Sequence, residues 1–154
     1  MKKGFLLLCL SLFAVSMYAQ NYEKSLGLRG GRPLGLTYKQ FVTTNNAVEG
    51  IIDLDIFTKN MFKLGVSGFY LWEWNLANVQ GLDWFVGPGA SAMLALVKDA
   101  DSVFDISING SIGLEYKFAG IPLALAVDYS PRLSLLHDAT FGWDYCALSI
   151  RYTW

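Results

Sequence analysis

The sequence predicts an all-β chain, closed as an antiparallel up-and-down barrel of eight strands. Three observations carry this expectation. Apolar and polar residues alternate with a period of two in eight successive segments, the mark of a strand with two unlike faces. The segments are divided by short stretches rich in Gly, Pro, Asn and Asp, the residues that suit hairpin turns. Beyond residue 20 no stretch shows the spacing of an amphipathic helix, although 53% of the chain is hydrophobic.

The opening residues are set apart first. "MKKGFLLLCLSLFAVSMYAQ" (1–20) places Lys2 and Lys3 before an apolar run from Phe5 to Val15, then a short stretch ending at Ala19. This is the layout of a secretory signal peptide, and the run is too short for a spanning helix. Cleavage is expected after Ala19, with Met17 larger than the small residue usual three positions before a cut. The domain division is thus a signal peptide over 1–19 and a barrel over 20–154. Cys9 lies deep inside the apolar run, which disfavours a lipid anchor. Loss of two lysines takes the formal charge from −1 to −3, so no basic arm or patch points to nucleic acid. Cys146 is then the lone cysteine, which excludes an intramolecular disulfide and reads as a small hydrophobe.

Eight strands follow in order. They are expected at 22–31, 34–42, 47–57, 61–74, 82–97, 103–118, about 123–136 and 145–154. Arg32-Pro33, "TTNN" (43–46), "TKN" (58–60), "NLANVQG" (75–81), "KDADS" (98–102), "AGIP" (119–122) and "HDATFGWD" (137–144) connect them. In the sixth, Phe104, Ile106, Ile108, Ile112, Leu114 and Tyr116 oppose Asp105, Ser107, Asn109, Ser111, Glu115 and Lys117. In the fourth, Leu64, Val66, Tyr70, Trp72 and Trp74 oppose Lys63, Ser67, Phe69, Leu71 and Glu73. Across all eight, the apolar face carries a single charge, Lys24, where a long side chain can snorkel. Pro88 and Pro131 interrupt strands without breaking parity, so a one-residue bulge does not account for them.

Which face points inward is a question of volume. Eight strands enclose a space just filled by side chains. The apolar set, with Trp72, Trp74, Trp84 and Trp154, is too large for it, whereas the Gly-, Ala- and Ser-rich set fits. The expected lumen then holds Arg29, Lys39, Lys63, Lys117, Arg132 and Arg151 with Glu49, Asp53, Asp55, Glu73, Asp83, Asp105, Glu115 and Asp128. Buried charges must pair, so interlinked ion pairs are expected, with Arg151 directed to Glu115 or Asp128. An apolar outer face makes the barrel transmembrane. Tyr22, Tyr38, Trp72, Trp74, Trp84, Tyr116, Phe118, Tyr152 and Trp154 fall at the end holding both termini and form an expected aromatic ring. Phe62 and Phe104, with Phe141 and Trp143 in the adjoining loop, form a thinner one at the other end.

"GLRGG" (27–31), "GLDWFVGPGA" (81–90), "GLEYKF" (113–118) and the terminal "ALSIRYTW" resemble a family of small eight-stranded outer-membrane β-barrel proteins of Gram-negative bacteria. The resemblance implies residence in the bacterial outer membrane, outer-membrane lipids as surroundings and a monomer. It also implies recognition by the barrel-assembly machinery through a last strand ending at Trp154, with Tyr152, Ile150 and Leu148 in its pattern. The outward connections are short, unlike those of adhesive or receptor-like barrels.

The function this supports is a non-catalytic one in the cell envelope, structural or in surface interaction. No catalytic, cofactor-binding or metal-binding residue is predicted, and no cofactor. A lipid-modifying barrel enzyme is the alternative; it must use His137, the single histidine, with Ser134 and Asp138 near it in sequence. A soluble periplasmic lipocalin-like ligand-binding barrel is a weaker one. Asp53 and Asp55 share a face but lack a histidine partner, so pairing with Lys or Arg is expected over metal binding. The glycines of "GLRGG" are followed by neither Lys-Ser/Thr nor a helix and form no phosphate loop.

Overall fold

The structure, a computed structural model, describes residues 22–31, 34–56, 61–98, 101–136, 140–143 and 145–154. The expected signal peptide over 1–19 and its cleavage site lie outside them. Ten strand segments form the fold: β1 (Lys24–Gly31), β2 (Leu34–Phe41), β3 (Asn46–Asp55), β4 (Met61–Asn75), β5 (Leu82–Val97), β6 (Val103–Lys117), β7 (Leu123–Tyr129), β8 (Arg132–Ser134), β9 (Phe141–Gly142) and β10 (Cys146–Thr153). No helix occurs among the described residues.

These segments build eight walls. Each of β1 to β6 pairs antiparallel with the next, β7 and β8 together pair with β6, and β10 pairs with β7. The ring closes where β10 meets β1, from Ser25 opposite Thr153 to Gly31 opposite Ala147. The result is a closed antiparallel barrel of eight strands with up-and-down connections.

Three tight connections lie at the end that holds Tyr22 and Trp154. In the first, the Val42 amide donates to the Asn46 carbonyl at 2.8 Å. The second has three residues with positive φ, Ala77 (55°), Asn78 (56°) and Gly81 (85°), and glycine supplies the last at no steric cost. In the third, Gly120 (φ 81°) turns β6 into β7, and the Phe118 amide donates to the Leu123 carbonyl at 3.0 Å.

The seventh wall is interrupted, as Pro131 requires. Gly110 on β6 stands at the level of Pro88 on one side and Pro131 on the other. Its amide donates to the Pro131 carbonyl at 3.1 Å, but proline has no N–H to return the bond. The strand therefore divides into β7 and β8, yet the register with β6 is the same on both sides of the break. Parity is kept without a bulge.

The expected loop over 137–144 is partly strand. Phe141–Gly142 pairs with Arg132–Leu133 and lengthens the eighth wall. Arg132 faces Gly142, whereas Asp128 faces Ala147, so one extra residue is accommodated between β9 and β10. That bulge reverses the parity and brings Gly142 inward beside Arg132, while Tyr145, on the same face as Ala147 and Arg151, lies over the Arg132 guanidinium at 4.7 Å from ring centroid to carbon.

The interior is packed by unlike sizes. Phe69, Leu71, Phe85, Ile51 and Ala126 form a buried apolar cluster inside the barrel. Glycines on the same face make room: a Cβ on Gly27 would stand 2.8 Å from Arg151 Cγ, and one on Gly113 would lie 2.9 Å from Asp128 Cβ and still nearer the Phe85 ring. The outer face is the apolar one, with Leu28, Ile52, Val66, Ile112 and Ile150 each at least half exposed.

Candidate functional site

The lumen divides into a filled section and an open mouth. The filled section lies towards the end that holds Tyr22 and Trp154. Arg151 from β10, 1% exposed, donates through Nη1 to Glu115 Oε2 and through Nη2 to Glu49 Oε1. Lys39, fully buried, donates to Glu73 Oε2 and, at 3.2 Å, to Glu115 Oε1. Thr37 donates to Glu49 and Tyr22 to Glu115, so strands from around the barrel meet in one network. The Lys39 ammonium also sits 5.0 Å from the Phe41 ring centroid and 5.3 Å from that of Phe85. Burial, then the Glu115 carboxylate beside it, push the Tyr22 phenol well above its usual value, which keeps it a neutral donor.

A second layer lies above this network. Arg29 grips Asp128 with both Nη atoms, at 2.8 and 2.6 Å, and Ser130 adds a bond to the same carboxylate at 2.9 Å. Such a two-pronged pair is the strong form of a charge-assisted bond. Asp53 accepts from Ser67 at 2.8 Å, and Ser91 and Asn109 continue the chain across to β6. A hollow of about 10 Å³ between Arg29, Asp53, Ser130 and Arg132 is too small for more than one water molecule.

The mouth is at the end far from Tyr22 and Trp154. It holds a cavity of about 340 Å³, at the small end of ligand pockets, which run from about 300 to 1,000 Å³. Met61, Met93, Ala95 and Val103 supply its apolar wall, from β4, β5 and β6. Lys63, Asp105, Arg132 and Ser134 supply charge and hydroxyl. Asp105 accepts from Ser107 at 3.1 Å and from Ser134 at 2.5 Å. Lys63 stands 4.0 Å from Asp55. Arg132, nine-tenths buried, has its Nη2 3.7 Å from Asp53 Oδ2, beyond hydrogen-bond distance, and its Nε has no partner.

Most of the expected inner charges stand where parity places them. Of the two carboxylates expected for Arg151, Glu115 is the partner, joined by Glu49, while Arg29 holds Asp128; two residues differ from expectation. Lys117 is half-exposed at the rim and donates to the Phe118 and Ile121 carbonyls, capping the turn. Tyr22 is not part of the aromatic ring. It precedes β1, where strand alternation no longer fixes its direction, and turns inward to Glu115 and edge-on to Phe41. The other ring members lie on the outer surface near that end, six of them in ring contact: Trp74 with Trp84, Tyr116 edge-on to Phe118, and Tyr152 with Trp154. Phe141 and Trp143 form a pair at the opposite end.

Asp53 and Asp55 face Arg132 and Lys63 respectively. Cys146 is exposed on the outer face of β10. His137 and Asp138 lie outside the described residues, while the hydroxyl of Ser134 is engaged with Asp105. Sequence reasoning placed Arg132 in the lumen but did not find the mouth cavity. Its walls come from segments some seventy residues apart, and no local pattern marks their meeting. No family model matches this chain, and no curated protein matches it.

Proposed function

We propose that this chain is a small integral outer-membrane β-barrel of a Gram-negative bacterium, secreted with loss of residues 1–19, with a non-catalytic role in the cell envelope. That role is structural or lies in interaction at the surface. The observation that carries the reading is the barrel's inverted polarity: ion pairs fill the inside while aliphatic side chains cover the outside. A monomer in water seldom exposes a contiguous apolar patch beyond a few hundred Å². Here such residues run round the wall, Leu28 at 68% exposed, Val66 at 58% and Leu148 at 55% among them. Hydrocarbon surroundings remove that cost, and a closed ladder leaves no strand edge unpaired within them.

The aromatic pairs support an interface at the end that holds Tyr22 and Trp154, read as the periplasmic one. Outer-membrane lipids are then the barrel's main partners, and a monomer suffices because no edge seeks a second chain. The alternation of Leu148, Ile150, Tyr152 and Trp154 on the outer face of β10 is the pattern offered to the barrel-assembly machinery. The filled lumen argues against a general pore, since open channels take more strands.

Cell fractionation tests the reading. The protein is expected in the outer-membrane pellet, and the unboiled sample is expected to run faster on a denaturing gel than the boiled one. Recovery in the soluble periplasm, with no such shift, overturns it.

A further inference from the structure

We propose that the mouth cavity is a dead-end binding site for a small organic monoanion, a carboxylate with a short hydrocarbon tail. The inference uses the lumen alone and does not depend on what surrounds the outer face.

Arg132 is the centre of the argument. Among the described residues three arginines enter the lumen, and two have both Nη atoms hydrogen-bonded: Arg29 holds Asp128 in a fork, and Arg151 bridges Glu49 and Glu115. Arg132 differs. Its nearest described carboxylate stands at 3.7 Å and is already bonded by Ser67, so the guanidinium has charge and N–H groups to offer. A buried guanidinium with an ion-pair partner but no hydrogen-bond acceptor is under-satisfied, and a ligand carboxylate matches its planar fork. Tyr145, stacked on it at 4.7 Å, fixes the plane of that fork.

The lining narrows the ligand. Lys63, Arg132 and Asp105 line the cavity, with Asp55 4.0 Å from Lys63 and Asp53 3.7 Å from Arg132, so the planar fork of Arg132, and not an excess of charge, is what receives a carboxylate. Met61, Met93, Ala95 and Val103 form the other side, and the flexible thioethers of methionine adapt to a tail of varied shape. Beneath Arg132 the lumen narrows to the hollow of about 10 Å³ and then to the ion-pair network, so a bound molecule has no onward path. Capture, and not passage, is what this geometry allows.

The test uses the full chain folded in phosphatidylcholine nanodiscs, with methionine methyls labelled for NMR; a chain found soluble is studied in plain buffer. Hexanoate is expected to shift the Met61 and Met93 methyls saturably. Acetate, lacking the tail, is expected to bind at least tenfold more weakly, and hexylammonium not to saturate. Arg132→Gln is expected to weaken hexanoate at least tenfold while the unboiled protein keeps its fast-migrating band. Met93→Trp fills the cavity and leaves every charge in place, so it carries the test if the arginine variant does not fold; it is expected to abolish the response. The proposal is overturned if hexanoate gives no saturable shift on the wild-type protein. It is also overturned if folded Arg132→Gln or Met93→Trp binds as tightly as wild type, or if hexylammonium or inorganic phosphate matches hexanoate.

Discussion

Arg151 shows how much a single residue carries in this barrel. It is 1% exposed, it joins β10 to β3 and β6 through two carboxylates, and Gly27 on β1 leaves the space its side chain occupies. Removing one partner of a buried ion pair leaves an uncompensated charge, at a cost of about 3–5 kcal/mol. Arg151→Ala is therefore expected to lower the temperature at which the unboiled band converts to the boiled one, and Glu49→Gln in the same background should restore part of the loss. Glycines divide by face in the same way. Gly113→Val drives a side chain into Phe85 and Asp128 and should prevent formation of the compact band. Gly50 faces outward with nothing within 4 Å of a Cβ, so Gly50→Ala should stay within about 0.5 kcal/mol of wild type in urea unfolding. Residue faces were legible in the sequence because period two assigns them. Partners were not: that Asp128 belongs to Arg29 follows from which strands are neighbours and at what height. Tyr22 was misplaced for a plainer reason, since alternation holds only inside a strand.

Among the elements, the break between β7 and β8 shows sequence and structure agreeing on cause. Pro131 was visible as a residue that could not complete a ladder, and the unchanged register on either side confirms that the strand is interrupted and not bulged. Replacing it supplies the missing donor. Pro131→Ala is expected to add one slowly exchanging amide at position 131, bonded to the Gly110 carbonyl, in hydrogen-exchange NMR. The net change in stability should be small, because a hydrogen bond worth about 1 kcal/mol is offset by the freer unfolded chain. A fast-exchanging amide there means that the two backbones do not approach closely enough to bond. The pairing of β9 escaped the sequence because two residues, Phe141 and Gly142, between Thr140 and Trp143 carry no periodic signal. The extra residue that follows β9 brings Gly142 inward at the mouth, an irregularity that alternation cannot reveal, whereas Tyr145 keeps the parity of Arg151.

For the whole molecule, eight walls and their inside-out polarity were readable because each strand repeats the same two-faced pattern. The volume argument then selects the face that fits. The mouth cavity was not readable, since it exists only where Met61, Met93 and Arg132 converge across the closed ring. The filled lower lumen makes a prediction at this scale. Proteoliposomes carrying the protein should not swell in isosmotic arabinose, whereas a porin control should. Swelling at the porin's rate means that the network of Lys39, Glu73, Glu115 and Arg151 does not obstruct the barrel.

The seam between β1 and β10 also governs how such a barrel comes into being. Its partners, Ser25 and Thr153 at one extreme, are separated by nearly the whole described chain, so β1 waits for β10 before either has both neighbours. Every shorter nascent chain is an open, sticky ribbon with two raw edges, the form most inclined to pair with its own copies. On the proposed outer-membrane reading, these edges are what a holdase chaperone would cover from the time β1 emerges until β10 is made. Chaperone depletion should harm this protein before any weakness in the finished barrel becomes apparent.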